Sequence, residues 1–198
     1  MDTDKIHRTI DTRKESLTQA ILARFYERTP EHQAQDKDVR EKSLRDIRYH
    51  LTYLSEAIDT SSPALFTDYV SWAKVLFAGL GFSPAILPET IESTRDVLRA
   101  KLPEPALATV EEYLVSGLEQ VAASPDTPPS FVPEEAPLAG LTRQYLDLVL
   151  DGKRHLASQL ILDAVESGIS VKEIYLYVLQ RAQQEIGRLW QMNHITVA

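Results

Sequence analysis

Along most of the chain, apolar residues recur every three or four positions with polar residues between them, the period of a helix packed on one face. Ile6, Ile10, Leu17, Ile21 and Phe25 make a narrow stripe that predicts a first helix, stopped in "ERTPEHQAQDKD" by Pro30. Leu44, Ile47, Leu51, Leu54 and Ile58 predict a second. In "DTSSPALF", Ser62 stands as N-cap and Pro63 as first helical residue of a third, with Gly79 or Gly81 as its stop. Pro84 and Pro88 bracket the start of a fourth, which ends near "KLPEP", and "ATVEEYLVSGLEQV" predicts a fifth. No stretch shows the alternation of a strand, and no internal repeat is evident.

The helical period vanishes over residues 124–137, where Pro125, Pro128, Pro129, Pro133 and Pro137 fall close together. Such a stretch reads as an extended, semi-rigid linker. It separates a helical N-terminal domain, residues 1–123, from a second helical bundle, residues 138–198. In the bundle, Leu141, Tyr145, Leu148 and Val149 mark one helix, and a second runs over about 153–166 to a stop at Gly168. "SVKE" has the form of a capping box, Ser170 as N-cap and Glu173 three residues on. It opens a long helix with Ile174, Val178, Ala182, Ile186 and Leu189 or Trp190 on one face, after which "ITVA" reads as the opening turn of another. The fold class is all-α.

Charge and composition narrow the function. A net charge of −8 on 198 residues argues against a surface built to neutralise phosphates, so no nucleic-acid partner is expected. The absence of cysteine excludes disulfides, thiolate metal sites, a Cys nucleophile and thioether attachment of a haem or bilin. The polar N-terminus is no signal peptide, and no apolar run approaches the ~18 residues that span a bilayer. A cytoplasmic protein without membrane partners is expected. There is no HExxH, no Gly-rich phosphate loop and no evident nucleophile–base pair, so neither catalysis nor a metal site is expected of these residues.

Candidate binding chemistry lies in the ring-dense region "IRYHLTYLSEAIDTSSPALFTDYVSWAKVLFAGLGF". Tyr49 and Tyr53 share a helix face, Trp72 lies three past Tyr69, Phe66 and Phe77 are close in sequence, and His50 sits among them. One reading is an aromatic helical core. The other is a pocket for a flat conjugated ligand, with His50 and the tyrosine hydroxyls as polar handles. His50 could also serve as the axial ligand of a haem in a globin-like sensor.

The C-terminal segment "LVLDGKRHLASQLILDAVESGISVKEIYLYVLQRAQQEIGRLWQMNHITVA" resembles the helical cap module of cobalamin-binding proteins. The features that carry the resemblance are "GK" opening a helix, "DAVESGIS", "VLQRAQQEIGRLW" and then "ITVA". In that family a four-helix cap precedes a Rossmann-like domain, and the corrin is held between them. CarH-like photoreceptors place a Trp over the upper face of the corrin, followed about ten residues later by a Glu-His pair, where methyl carriers usually present smaller apolar side chains. Trp190 matches that Trp, with Gly187 one turn before it on the same face. A mid-helix Gly costs ~1 kcal/mol against Ala, and close approach of a large flat group is one compensation. The Glu-His pair, the Rossmann-like domain and its lower-ligand His motif have no counterpart in these residues. The adenosylcobalamin site is therefore expected to be incomplete, and binding by this chain weak or absent. His194 and His155 are expected to be ordinary solvated residues.

A helical domain ahead of a Trp-bearing cobalamin cap is similar in layout to the photocobilins, which hold biliverdin beside cobalamin. The resemblance implies a light-sensing module, the N-terminal part of a cobalamin-dependent photoreceptor, with cobalamin and a non-covalent bilin as its chromophore partners. Homo-oligomerisation fits such a role, and the output domain is not specified. The alternatives are the cap of a corrinoid methyl-transfer protein, a haem-binding sensor, and a ligand-free helical interaction module.

Overall fold

The computed structural model describes residues 2–33 and 36–196, and the chain divides into two compact units, Met1–Asp126 and Thr127–Ala198. Every regular element among the described residues is helical.

The first unit contains α1 (Thr3–Thr12), α2 (Lys14–Arg28), a 3₁₀ turn (Pro30–His32), α3 (Lys37–Asp59), α4 (Pro63–Gly79), α5 (Ile86–Lys101) and α6 (Glu104–Ala123). The stripe expected to form one first helix is broken at Arg13, whose φ of −106° and ψ of 7° leave the helical region. The break has a packing reason. α1 packs chiefly on α3, whereas α2 packs on both α5 and α3, and one straight rod could not meet both sets of partners. Ile6, Ile10, Leu17, Ile21, Leu51, Leu54 and Ile58 are all fully buried or nearly so, as their spacing implies. Ser62 precedes α4 as expected, but its side chain makes no capping hydrogen bond. Gly79 ends the helix, and Gly81 follows with φ of +75°, which favours a residue without a Cβ.

Ion pairs tie the periphery of this unit together. Arg24 meets Asp96 at 2.8 Å and Arg28 meets Glu89 at 2.8 Å, joining α2 to α5. Lys74 of α4 donates to the Val121 carbonyl at 2.9 Å and approaches Asp126 at 3.1 Å, a cation at the C-terminal end of α6 where the helix dipole favours it.

In the second unit, α7 (Ala139–Leu150) and α8 (Arg154–Glu166) pair as expected. The capping box forms in full: Ser170 Oγ accepts from the Glu173 N–H, and Glu173 accepts from the Ser170 N–H at 3.1 Å. The long helix it opens is not uniformly α. α9 (Val171–Glu173) passes into a π-helical segment (Ile174–Leu179) and then α10 (Gln180–Gln191). The wider turn disturbs the regular carbonyl ladder, and the buried Thr142 hydroxyl, also 2.9 Å from the Leu138 carbonyl, lies within donor distance (2.9 Å) of the Tyr177 carbonyl there. α10 closes with the two bonds of a Schellman turn, Asn193 N–H to the Trp190 carbonyl and His194 N–H to the Leu189 carbonyl, both 2.9 Å. Asn193 supplies the left-handed residue, φ 57°. Ile195 and Thr196 are not helical, so the turn expected at "ITVA" does not begin there; Val197 and Ala198 lie outside the described residues.

Residues 127–137 are not a free linker. Val132 is buried, the Phe131 N–H donates to Glu185 Oε2 at 2.9 Å, and the Pro128 carbonyl accepts from Arg188 at 3.2 Å, all inside the second unit.

Phe66, expected among the pocket aromatics, instead packs in the core against Gly117 of α6. A Cβ at residue 117 would sit 2.5 Å from the Phe66 ring. Gly117→Ala should therefore destabilise the first unit by about 1–3 kcal/mol despite the better helix propensity of Ala. Denaturant unfolding followed by circular dichroism measures this; a variant as stable as wild type would show that α4 and α6 are not in contact there.

Candidate functional site

Two places carry the chemistry singled out in the sequence, one in each unit. The first is a groove of about 690 Å³ between α3 and α4, within the size range of small-molecule sites. Six residues of the expected cluster line it: Tyr49, His50, Tyr53, Tyr69, Trp72 and Phe77. α3 contributes Tyr49, His50 and Tyr53 from consecutive turns of one face, and α4 contributes Tyr69, Trp72, Ala73 and Phe77 by the same spacing.

The floor is a single bonded pair. Tyr69 Oη lies 2.7 Å from Nδ1 of His50, and both residues are buried. The His50 ring also meets Phe77 edge-on, with centroids 6.2 Å apart. Burial pushes the His50 imidazole down to about 4, which keeps it neutral at physiological pH. Burial also raises the Tyr69 phenol, helped by the nearby Asp46. A neutral pair is what a dry floor requires.

The walls are flat. Tyr53 stacks on Tyr69 with centroids 3.9 Å apart and planes 9° from parallel, and Trp72 lies beyond Tyr69 at 6.4 Å and 24°. Tyr49, Tyr53 and Trp72 remain 54%, 39% and 39% exposed. Large rings left open beside a buried floor form a concave aromatic surface rather than a closed core. Reading for aromatic residues alone missed Arg45, Asp46, Leu65, Asp68 and Leu76, which complete the lining. Asp46 had a signal: it lies three, four and seven residues before Tyr49, His50 and Tyr53, on their face of the helix.

The second place is the outer face of α10. A Cβ built on Gly187 meets nothing within 4 Å among the described residues, so this glycine is not a helix-crossing contact between them. Trp190 is 43% exposed, so it is not a bundle-core aromatic either. Gln183, Gly187 and Trp190 follow one another at helical spacing along this open face. The other side of α10 is anchored. Arg188 Nε and Nη2 donate to the two oxygens of Glu185 at 3.0 and 2.6 Å, and Glu185 in turn holds the Phe131 N–H. Burial alone would raise the Glu185 carboxyl, but Arg188 and the Phe131 N–H outweigh it and leave it below the usual carboxylate range. The bonds of this pair to the Phe131 N–H and the Pro128 carbonyl hold that side of α10 inward, with Gly187 and Trp190 on the other side. His194 and His155 are exposed, as expected.

A family model described as B12 binding domain matches residues 141–198. No curated protein and no solved structure matches the chain. The matched segment runs from α7 through α10, so the open face with Gly187 and Trp190 belongs to the part of the chain that matches a cobalamin-binding module. Among the described residues no helix is long and apolar enough to cross a membrane.

The groove floor makes stability depend on pH. As pH falls from about 6.5 toward 4, the unfolded chain binds a proton at His50 while the folded state resists it, so the folded state loses stability across that window. His50→Gln removes this cost. The stability advantage of wild type over the variant should therefore shrink as pH drops from 7 to 4, measured by denaturant unfolding at each pH. An advantage that stays constant would mean that His50 is solvated.

Proposed function

We propose that the second unit is the helical cap over the upper face of adenosylcobalamin, and that the chain is the sensory part of a cobalamin-dependent photoreceptor rather than an enzyme. The observation that carries this reading is the bare surface over Gly187 beside the half-exposed Trp190, inside the segment that matches the B12 binding domain. The residues fit a broad, flat partner: the glycine gives a shelf on which a ring can lie close to the backbone, and the indole stands at its edge. When bound, cobalamin supplies a light-sensitive cobalt–carbon bond. The protein's own part is to hold the indole in a fixed place through the Glu185–Arg188 pair and the Schellman turn, and to keep water from the covered face.

The groove of the first unit is read, in the same proposal, as the site of a non-covalent bilin such as biliverdin. Its size, its stacked rings and the buried His50–Tyr69 pair support a flat conjugated ligand, and without cysteine no thioether can form. Haem is less well supported, because His50 is only 5% exposed and lies edge-on against both Tyr69 and Phe77 in the floor of the groove.

Gly187→Leu separates ligand contact from folding, since the new side chain enters open space and replaces a poor helix former. The variant should keep the helical circular dichroism of wild type and unfold no more easily. In a spectrophotometric titration with adenosylcobalamin it should bind at least tenfold more weakly, as should Trp190→Ala. Unchanged binding by both would remove α10 from the site. For the groove, protein produced with a biliverdin supply should show a red absorbance band that acid-urea releases. A colourless product, or a haem Soret band, would end the bilin reading.

A further inference from the structure

The charged residues of the α3–α4 groove have no part in stacking, and they differ in how they are held. Among the described residues Arg45 is the only cation of the lining, and its side chain is 59% exposed at the rim. Two carboxylates, Asp46 and Asp68, line the same groove. Asp46 is the more enclosed, with a side chain 35% exposed, and its nearest cation is Arg45 Nε at 3.9 Å, beyond hydrogen-bond distance. Burial holds its carboxyl above the usual carboxylate range, and the influence of Arg45 does not cancel that. The carboxylate is thus partly stripped of water beside stacked rings, without a side-chain donor in bonding reach among the described residues. Such a group is satisfied by a ligand that brings N–H donors or positive charge to it. An anionic ligand gains little here, because one exposed arginine stands against two carboxylates in a chain of net charge −8.

We propose that the groove selects flat conjugated ligands that present N–H donors or a cationic ring edge, and that Asp46 is the residue that sets this selectivity. The aromatic walls take the face of the ring without regard to charge, and Asp46 reads its edge. For a tetrapyrrole, Asp46 would accept from the ring N–H groups and favour the protonated form, while acidic side arms would lie toward Arg45 and solvent. The tetrapyrrole case rests on the bilin reading; the selectivity for donor-bearing flat rings does not.

Two small probes test the proposal without a bilin. Proflavine is a flat cationic acridine with N–H donors, and anilinonaphthalene sulfonate is an aromatic anion. Fluorescence titration should show proflavine binding the wild-type chain at least tenfold more tightly than the anion. Asp46→Asn, which keeps size and polarity, should reduce this preference about tenfold. Arg45→Gln should increase it, and because Arg45 is exposed it leaves the fold intact if Asp46→Asn does not. Trp72→Phe should change the probe's emission if it sits in the groove. The proposal is overturned if neither probe binds, if the anion binds as well as the cation, or if the preference survives Asp46→Asn in folded protein and is unmoved by Arg45→Gln. Biliverdin is titrated separately. Proflavine selectivity without bilin binding would remove the bilin and leave the selectivity standing, whereas bilin binding without selectivity would do the reverse.

Discussion

The hydrogen bond between Tyr69 and His50 is the contact around which the first unit's functional surface is arranged. It lets two polar groups be buried between α3 and α4 without an unsatisfied atom at that contact, at a position where an all-apolar floor would bring the helices together. With the pair in place, Tyr53 has a fixed ring to stack on, Trp72 lies beyond it, and the rings above stay open. The groove is therefore a consequence of one buried polar pair and the 3.6-residue period of two helices.

The second unit solves a similar problem with charge. Glu185 and Arg188 face inward on α10, bound to each other and to backbone groups of residues 128 and 131. Truncating either partner would leave a buried charge unpaired, so the pair specifies the rotation of α10 strongly whatever its net contribution to stability. The opposite face of the helix is thereby left for Gly187 and Trp190. The first unit thus buries a polar pair beneath an aromatic surface, and the second buries its pair on the face of α10 opposite Trp190.

The helices, most of the core and the aromatic groove residues were legible in the sequence, because apolar period and helix-face spacing survive folding. What escaped was set by partners remote in sequence. The break at Arg13 interrupts a stripe whose spacing alone is compatible with one rod, and only the different partners of α1 and α2 require it. The π-helical segment is silent in the pattern, yet beyond it the buried side of α10 falls on Glu185, with Ile186 only partly covered. A glutamate at that place reads as surface until Arg188 and the Phe131 N–H are seen beside it. The proline-rich stretch reads as a linker because prolines cannot bond to one another; its Phe131 N–H and Pro128 carbonyl bond to α10, and its Val132 carbonyl accepts from Arg143 of α7. Asp46 was passed over because a charged residue on a helix is most often solvated.

The chain has two tryptophans, Trp72 lining the groove and Trp190 half-exposed on α10. Their indole N–H resonances, resolved in a nitrogen-labelled sample and assigned with Trp72→Phe and Trp190→Phe, report the two surfaces separately. Adenosylcobalamin is expected to move the Trp190 resonance and leave that of Trp72 in place, and biliverdin to do the opposite. If neither resonance moves at saturating ligand, or if cobalamin moves Trp72 and not Trp190, the assignment of one ligand surface to each unit is wrong.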